Sequence, residues 1–128
     1  QENPVYYVQY AHARLASIDR QARERGIPPL PLAEVPIGLL AEPEELELLR
    51  LLAGFPRLVA SAAVELEPHR LVFFLLDLVG RFHSYYNKHR VISEDAALTQ
   101  ARLALAAALR TVIGNGLRLI GVTAPTSM

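Results

Sequence analysis

Cysteine is absent from the 128 residues, which excludes a disulfide framework and thiolate-bound metals and suits a reducing, cytoplasmic setting. Histidine is scarce, and His12, His69, His83 and His89 show no i, i+4 pairing of the metalloprotease kind, so no metal site is expected. No glycine-rich loop precedes a Lys-Ser or Lys-Thr pair; Gly114-Asn115-Gly116 is expected to end a helix, not to cradle phosphate. The serines Ser17, Ser61, Ser84, Ser93 and Ser127 are scattered and suggest no nucleophile. No catalytic residue and no cofactor of this chain's own are therefore expected. Long hydrophobic runs are also missing. The most apolar stretch, residues 71–80, is about half a membrane span and is broken by Asp77, so it reads as a core helix, with no membrane partner. The opening Gln1-Glu2-Asn3-Pro4 lacks the basic start of a signal peptide.

What the chain does have is apolar residues, 52% of the total, enough for one packed domain over residues 1–128. Its zero net charge conceals an asymmetry. Between Glu34 and Glu67 seven carboxylates face two arginines, whereas from Pro68 onward seven cations face three carboxylates. Lys88 is the sole lysine. Arginine is the better fork for phosphate oxygens and the better stacker on bases, so the basic half is compatible with a nucleic-acid partner, although such faces are commonly just solvated.

The hydrophobic pattern has helical period throughout and no convincing alternation at period two. It predicts an all-α antiparallel bundle of about five helices, roughly over 4–25, 43–53, 56–67, 69–88 and 94–113, with a short turn at 117–120. Asn3 and Pro4 start the first helix, whose stripe is Val8, Ala11, Leu15, Ile18 and Ala22, and Gly26 stops it. The prolines of Ile27-Pro28-Pro29-Leu30-Pro31-Leu32 call for an extended crossover. Gly54-Phe55-Pro56 is expected to break the second helix from the third, and Ser93 to cap the last.

Aromatic residues fall in two clusters. Tyr6-Tyr7-Val8-Gln9-Tyr10 lies at helical spacing and is expected to pack in the core. In Arg81-Phe82-His83-Ser84-Tyr85-Tyr86-Asn87-Lys88-His89-Arg90, Phe82 and Tyr86 are four apart and share a helix face. Rings beside cations suit unstacked RNA bases and their phosphates. The same pattern also fits core packing with a solubilising helix end, and periodicity alone leaves both open.

Several segments resemble one family. Asn3-Pro4-Val5-Tyr6-Tyr7-Val8-Gln9-Tyr10-Ala11-His12-Ala13-Arg14 is similar to the stretch that opens the anticodon-binding domain of arginyl-tRNA synthetases. Phe82-His83-Ser84-Tyr85-Tyr86-Asn87 resembles the family's aromatic motif, Gln100-Ala101-Arg102-Leu103-Ala104-Leu105 its last-helix signature, and 115–128 its closing segment. The resemblance implies a helical bundle that docks on the anticodon stem-loop of arginine tRNA and reads chiefly the middle cytosine. It places Phe82, Tyr86, Asn87 and the terminal Met128 on the loop nucleotides. Arg81, Lys88, Arg90 and Arg102, from the basic half, are the cations expected on the tRNA backbone. The resemblance also implies a separate Rossmann-type catalytic domain in the same parent chain, using ATP with Mg2+; its signature motifs do not occur here, and a monomer is expected. The chain departs from the pattern in three ways. Ser127 precedes Met128 where relatives carry Arg, the aromatic pair is Phe and Tyr instead of Tyr and Trp, and Ala108-Leu109-Arg110 only echoes the Asp-Ala-Leu-Arg signature. The alternatives are the same domain type from another synthetase, such as the cysteinyl enzyme or the glycyl beta subunit, and a helical protein-interaction domain using Leu46, Leu48, Leu49, Leu51 and Leu52.

Overall fold

A computed structural model describes residues 3–128; Gln1 and Glu2, the polar opening of the chain, lie outside the described residues. Among those residues there is no strand, and four α-helices form an up-and-down bundle. Helix α1 (Pro4–Glu24) starts where the Asn3 carboxamide accepts the Val5 N–H at 3.0 Å, with Pro4 in the first turn. It ends at Gly26, whose φ of +76° lets the Ile27 N–H reach the Ala22 carbonyl at 2.8 Å. The stripe Val8, Ala11, Leu15, Ile18 and Ala22 is buried as its spacing requires. The crossover that follows contains two single 3-10 turns, Leu32–Glu34 and Ile37–Leu39.

Helix α2 (Pro43–Glu65) runs straight through Gly54-Phe55-Pro56, so the two expected helices are one. An interior proline forfeits a backbone bond and costs about 3 kcal/mol. Phe55 explains why the helix continues: it is 8% exposed and its ring lies 5.6 Å from that of Phe74 on α3 (His69–Lys88), so stopping there would unpack the α2–α3 pair. Helix α4 (Ala96–Leu119) likewise continues through Gly114-Asn115-Gly116. These glycines permit close approach instead of a turn. A Cβ on Gly116 would sit 2.7 Å from Leu75 Cδ2, and one on Gly114 would sit 3.1 Å from His12 Nε2. The stop is Gly121, at φ +87°, with the Val122 N–H on the Leu117 carbonyl at 3.0 Å. The cap of α4 is Asp95, not Ser93, whose hydroxyl meets Thr99.

Helix α4 packs against all three other helices, most extensively on α1, while α2 packs on α3. It is long and apolar enough to cross a bilayer by length and composition, but it serves here as the shared core of the bundle, and its Leu105, Leu109, Ile113 and Leu117 are buried. Of the leucine-rich stretch, Leu48 is buried, Leu49, Leu51 and Leu52 are half-buried, and Leu46 alone is exposed, at 54%.

A candidate nucleic-acid interface

The end of α3 is fixed from inside. Glu45, fully buried near the start of α2, accepts from the Tyr85 hydroxyl at 2.6 Å and from Arg102 Nε at 2.7 Å. Its other oxygen accepts the Glu42 N–H at 3.1 Å, closing the helix start. Arg102 also donates to the Arg90 carbonyl at 2.8 Å, so three helices and the α3–α4 loop meet on one carboxylate. Burial alone would raise the Glu45 carboxyl, but the Tyr85 hydroxyl, the Glu42 N–H and Arg102 together hold it below the usual range. Burial, with the Glu45 carboxylate beside it, pushes the Tyr85 hydroxyl well above its ordinary value.

On the outward side of that anchor stands a column of flat groups. Phe82 is 1% exposed, and Tyr86 packs on it with ring centroids 5.7 Å apart. The Arg14 guanidinium lies 5.1 Å from the Tyr86 centroid and 5.9 Å from that of Tyr10, so it bridges α1 and α3. Arg14 Nε is buried and has no hydrogen-bond partner among the described residues. Burial, then the nearby Arg14 charge, lowers His83 below its ordinary value and keeps it neutral at pH 7. The carboxy-terminal tail lies along α1. Gln9 donates to the Thr123 carbonyl at 2.9 Å, His12 Nδ1 lies 2.7 Å from the Pro125 carbonyl, and Arg20 donates to the Thr126 carbonyl at 2.8 Å. This brings Met128, 52% exposed, to a hollow bounded by Tyr10, Arg14, Ser17 and Arg20. A second cleft of about 320 Å³ lies between Gln21 and Arg25 of α1 and Tyr86, Asn87 and Arg90.

The structure brings some of the expected residues together and separates others. Tyr86, Asn87, Arg90 and Met128 share this face with Arg14. Phe82 does not reach the surface and supports Tyr86 from beneath. Arg102 differs most from its expectation: it is 7% exposed and committed to Glu45 and the Arg90 carbonyl, because its place on α4 faces the bundle interior and not solvent. Arg81 lies elsewhere, paired with Asp77 at 3.0 Å and Glu47 at 3.5 Å. Lys88 bonds Glu44, whose carboxyl it draws down to about 2. Glu42, Glu44 and His89 place three possible ligand atoms within 4.8 Å of one another, with Lys88 and His89 both on Glu44. Arg90 has no ion pair among the described residues, and the same holds for Arg14, Arg20 and Arg25.

Sequence reasoning missed the α1 half of the face. The first aromatic cluster, expected in the core, is largely outside: Tyr6, Tyr7 and Tyr10 are 55%, 42% and 43% exposed, and only Val8 is buried. The signal was available. Tyr7, Tyr10 and Arg14 recur at three- and four-residue steps on a stripe of their own, beside the apolar one.

The chain as a whole has known relatives. Residues 8–128 match the family model of the DALR anticodon binding domain. The arginine–tRNA ligase of Desulfotalea psychrophila is 55% identical over 128 residues, covering all of this chain and 23% of that protein. That of Geobacter metallireducens is 49% identical over 127 residues, 99% of this chain and again 23% of the relative. Among solved structures, the arginyl-tRNA synthetase of Thermus thermophilus superposes with a TM-score of 0.80 at 36% identity, over 95% of this chain and 21% of that one. The chain thus spans less than a quarter of the length of these relatives.

Proposed function

The chain belongs to the DALR anticodon binding domain family, and we propose that it is the part of an arginine–tRNA ligase that admits arginine tRNA by its anticodon loop. The carrying observation is the Arg14 guanidinium held between the Tyr10 and Tyr86 rings with no hydrogen bond or ion pair among the described residues. The terminal N–H groups of Arg14 are left to donate to an acceptor on a ligand, whereas the Nε–H, sealed from solvent, gains a partner only if the side chain shifts on binding, recovering about 1–3 kcal/mol. A loop base turned out of its stack offers such an acceptor on its edge and a face to stack on the column. Met128 would close the hollow on its apolar side, and Asn87 would supply a carboxamide for a base edge or the sugar. Arg20, Arg25 and Arg90, none engaged with a carboxylate among the described residues, flank the column and would take phosphates. Arg81 is tied to Asp77 and Glu47 away from the column, whereas Lys88 lines the same cleft as Arg90 and would share its ammonium between Glu44 and a phosphate. The ligation of arginine with ATP and Mg2+ would belong to the rest of the polypeptide, a cytoplasmic enzyme in this reading, since no phosphate-cradling loop occurs in this chain.

The test is filter binding of labelled arginine tRNA to the chain against a total-tRNA competitor. Arginine tRNA should survive competition, and a change of its middle anticodon base should abolish the advantage. Equal displacement by any tRNA would reduce the face to a nonspecific cation patch.

A further inference from the structure

The crossover between α1 and α2 has the opposite character from the arginine face and shares no lining residue with it. Residues 27–41 carry one charge, Glu34, and no cation. Leu30, Leu32, Ile37 and Leu39 are 41%, 70%, 40% and 45% exposed, an unusual concentration of large apolar side chains in ten residues. Beneath Leu30 and Leu32 a groove of about 280 Å³ opens onto Ala104 and Ala108 of α4, with Ile37 and Leu39 further along the same strap. This strap is built as a fixed surface. Pro28, Pro29, Pro31 and Pro36 lock their own φ angles. Gln100 clasps the strap from α4, accepting the Leu30 N–H at 2.9 Å and donating to the Pro28 carbonyl at 3.2 Å. Leu40, 4% exposed, plugs its far end into the core.

A rigid apolar surface has little ordering entropy left to lose on binding, so burying it is favourable. Phosphate is excluded as its occupant, because the strap offers no cation and one carboxylate. We infer that the 30–39 strap is the seat of the remainder of the ligase polypeptide, which accounts for more than three quarters of the length of the relatives. This rests on the proposed function. It adds a sidedness in which α1, the end of α3 and the tail face RNA while the crossover on α4 faces protein. The seated segment must be apolar, and an aliphatic or aromatic side chain entering the groove toward Ala104 and Ala108 fits its lining.

The experiment compares amide exchange in the full-length ligase carrying this domain with exchange in the 128-residue chain, and adds Leu32→Glu with Ile37→Glu in both. Amides of 32–39 should exchange at least about tenfold more slowly in the full-length protein. The double substitution should abolish that protection and lower the full-length melting temperature. It should leave the melting temperature and arginine-tRNA affinity of the 128-residue chain unchanged, since Leu32 and Ile37 are exposed there. Equal exchange in both proteins overturns the inference. So does a dimer of the 128-residue chain that the double substitution dissociates, which would assign the strap to a second copy. Failure of that chain to select arginine tRNA would defeat the proposed function instead, and it is read separately from the exchange.

Discussion

Tyr86 meets two neighbours with one ring: Phe82, with ring centroids 5.7 Å apart, and the Arg14 guanidinium, 5.1 Å from its centroid. Stacking of a base on such a ring is worth about 1–3 kcal/mol, so Tyr86→Ala should weaken arginine-tRNA binding about ten- to a hundred-fold. Because Tyr86 is only half-buried, its loss should cost less folding stability than Phe82→Ala, which empties a fully buried site and should cost about 3–5 kcal/mol. Tyr86→Phe should be mild in both respects, since the hydroxyl makes no hydrogen bond among the described residues. Melting temperature and affinity measured on the same preparations decide it. A large loss of stability in Tyr86→Ala with full affinity in the folded fraction would remove the stacking role. Glu45 makes a different prediction. Its carboxyl is held below its ordinary value of 4.5 in the folded state, so the unfolded chain binds more protons as acid is added. Its contribution is therefore complete above pH about 4.5 and lost as pH falls through the folded value. Thermal melts should show stability falling in that acid range, and Glu45→Gln, though less stable at pH 7, should show a shallower acid dependence.

At the scale of elements, glycines with the same helical propensity should respond to alanine with opposite sign. Gly54 on α2 has nothing within 4 Å of where a Cβ would sit, so Gly54→Ala should stabilise by about 0.8–1 kcal/mol. Gly116 on α4 lets Leu75, fully buried, come within 2.7 Å of that position, so Gly116→Ala should destabilise by about 1–3 kcal/mol despite the better propensity. Denaturant melts of the two variants check both signs. The contrast shows why punctuation read from sequence went astray here. Gly26 does stop a helix, whereas Gly116 continues one, because only the partner helix distinguishes a turn from a close approach. The end of α2 adds that a stop needs no glycine: Leu66 adopts φ +55° two residues before Pro68 and terminates the helix within two residues of where the sequence places its end.

For the whole molecule, the arrangement of charge matters more than its sum. The chain is neutral overall, yet Arg14, Arg20, Arg25 and Arg90 gather on one face, while Arg81 and Lys88 are held by Asp77, Glu47 and Glu44. Binding of arginine tRNA should weaken steeply with salt, at a log–log slope of about −0.7 per phosphate neutralised on single strands. Arg90→Ala should lower that slope by somewhat under one unit and leave base preference intact. Arg81→Ala should leave the slope nearly unchanged, since its charge is already balanced within the fold. Titrations at several salt concentrations separate the two, and an unchanged slope in Arg90→Ala would take Arg90 off the phosphate path. The chain alone should also fail to catalyse arginine-dependent pyrophosphate exchange, because it carries no phosphate-cradling loop.

By itself the sequence determined the helical class, the buried stripe of α1 with its cap at Asn3 and stop at Gly26, the rigid crossover, and the pairing of Phe82 with Tyr86, because each rests on spacing or backbone chemistry within a few residues. Tertiary structure decided the rest. It carried α2 through Pro56 for the sake of the Phe55–Phe74 contact and drew Arg102 inward to Glu45. It also buried Phe82 and brought Arg14 and Tyr10 to Tyr86 across about 70 residues of chain. Local pattern records which residues are apolar or charged; whether an arginine meets solvent, a carboxylate or an aromatic ring depends on the helix that packs beside it, and that choice is made only when the bundle closes.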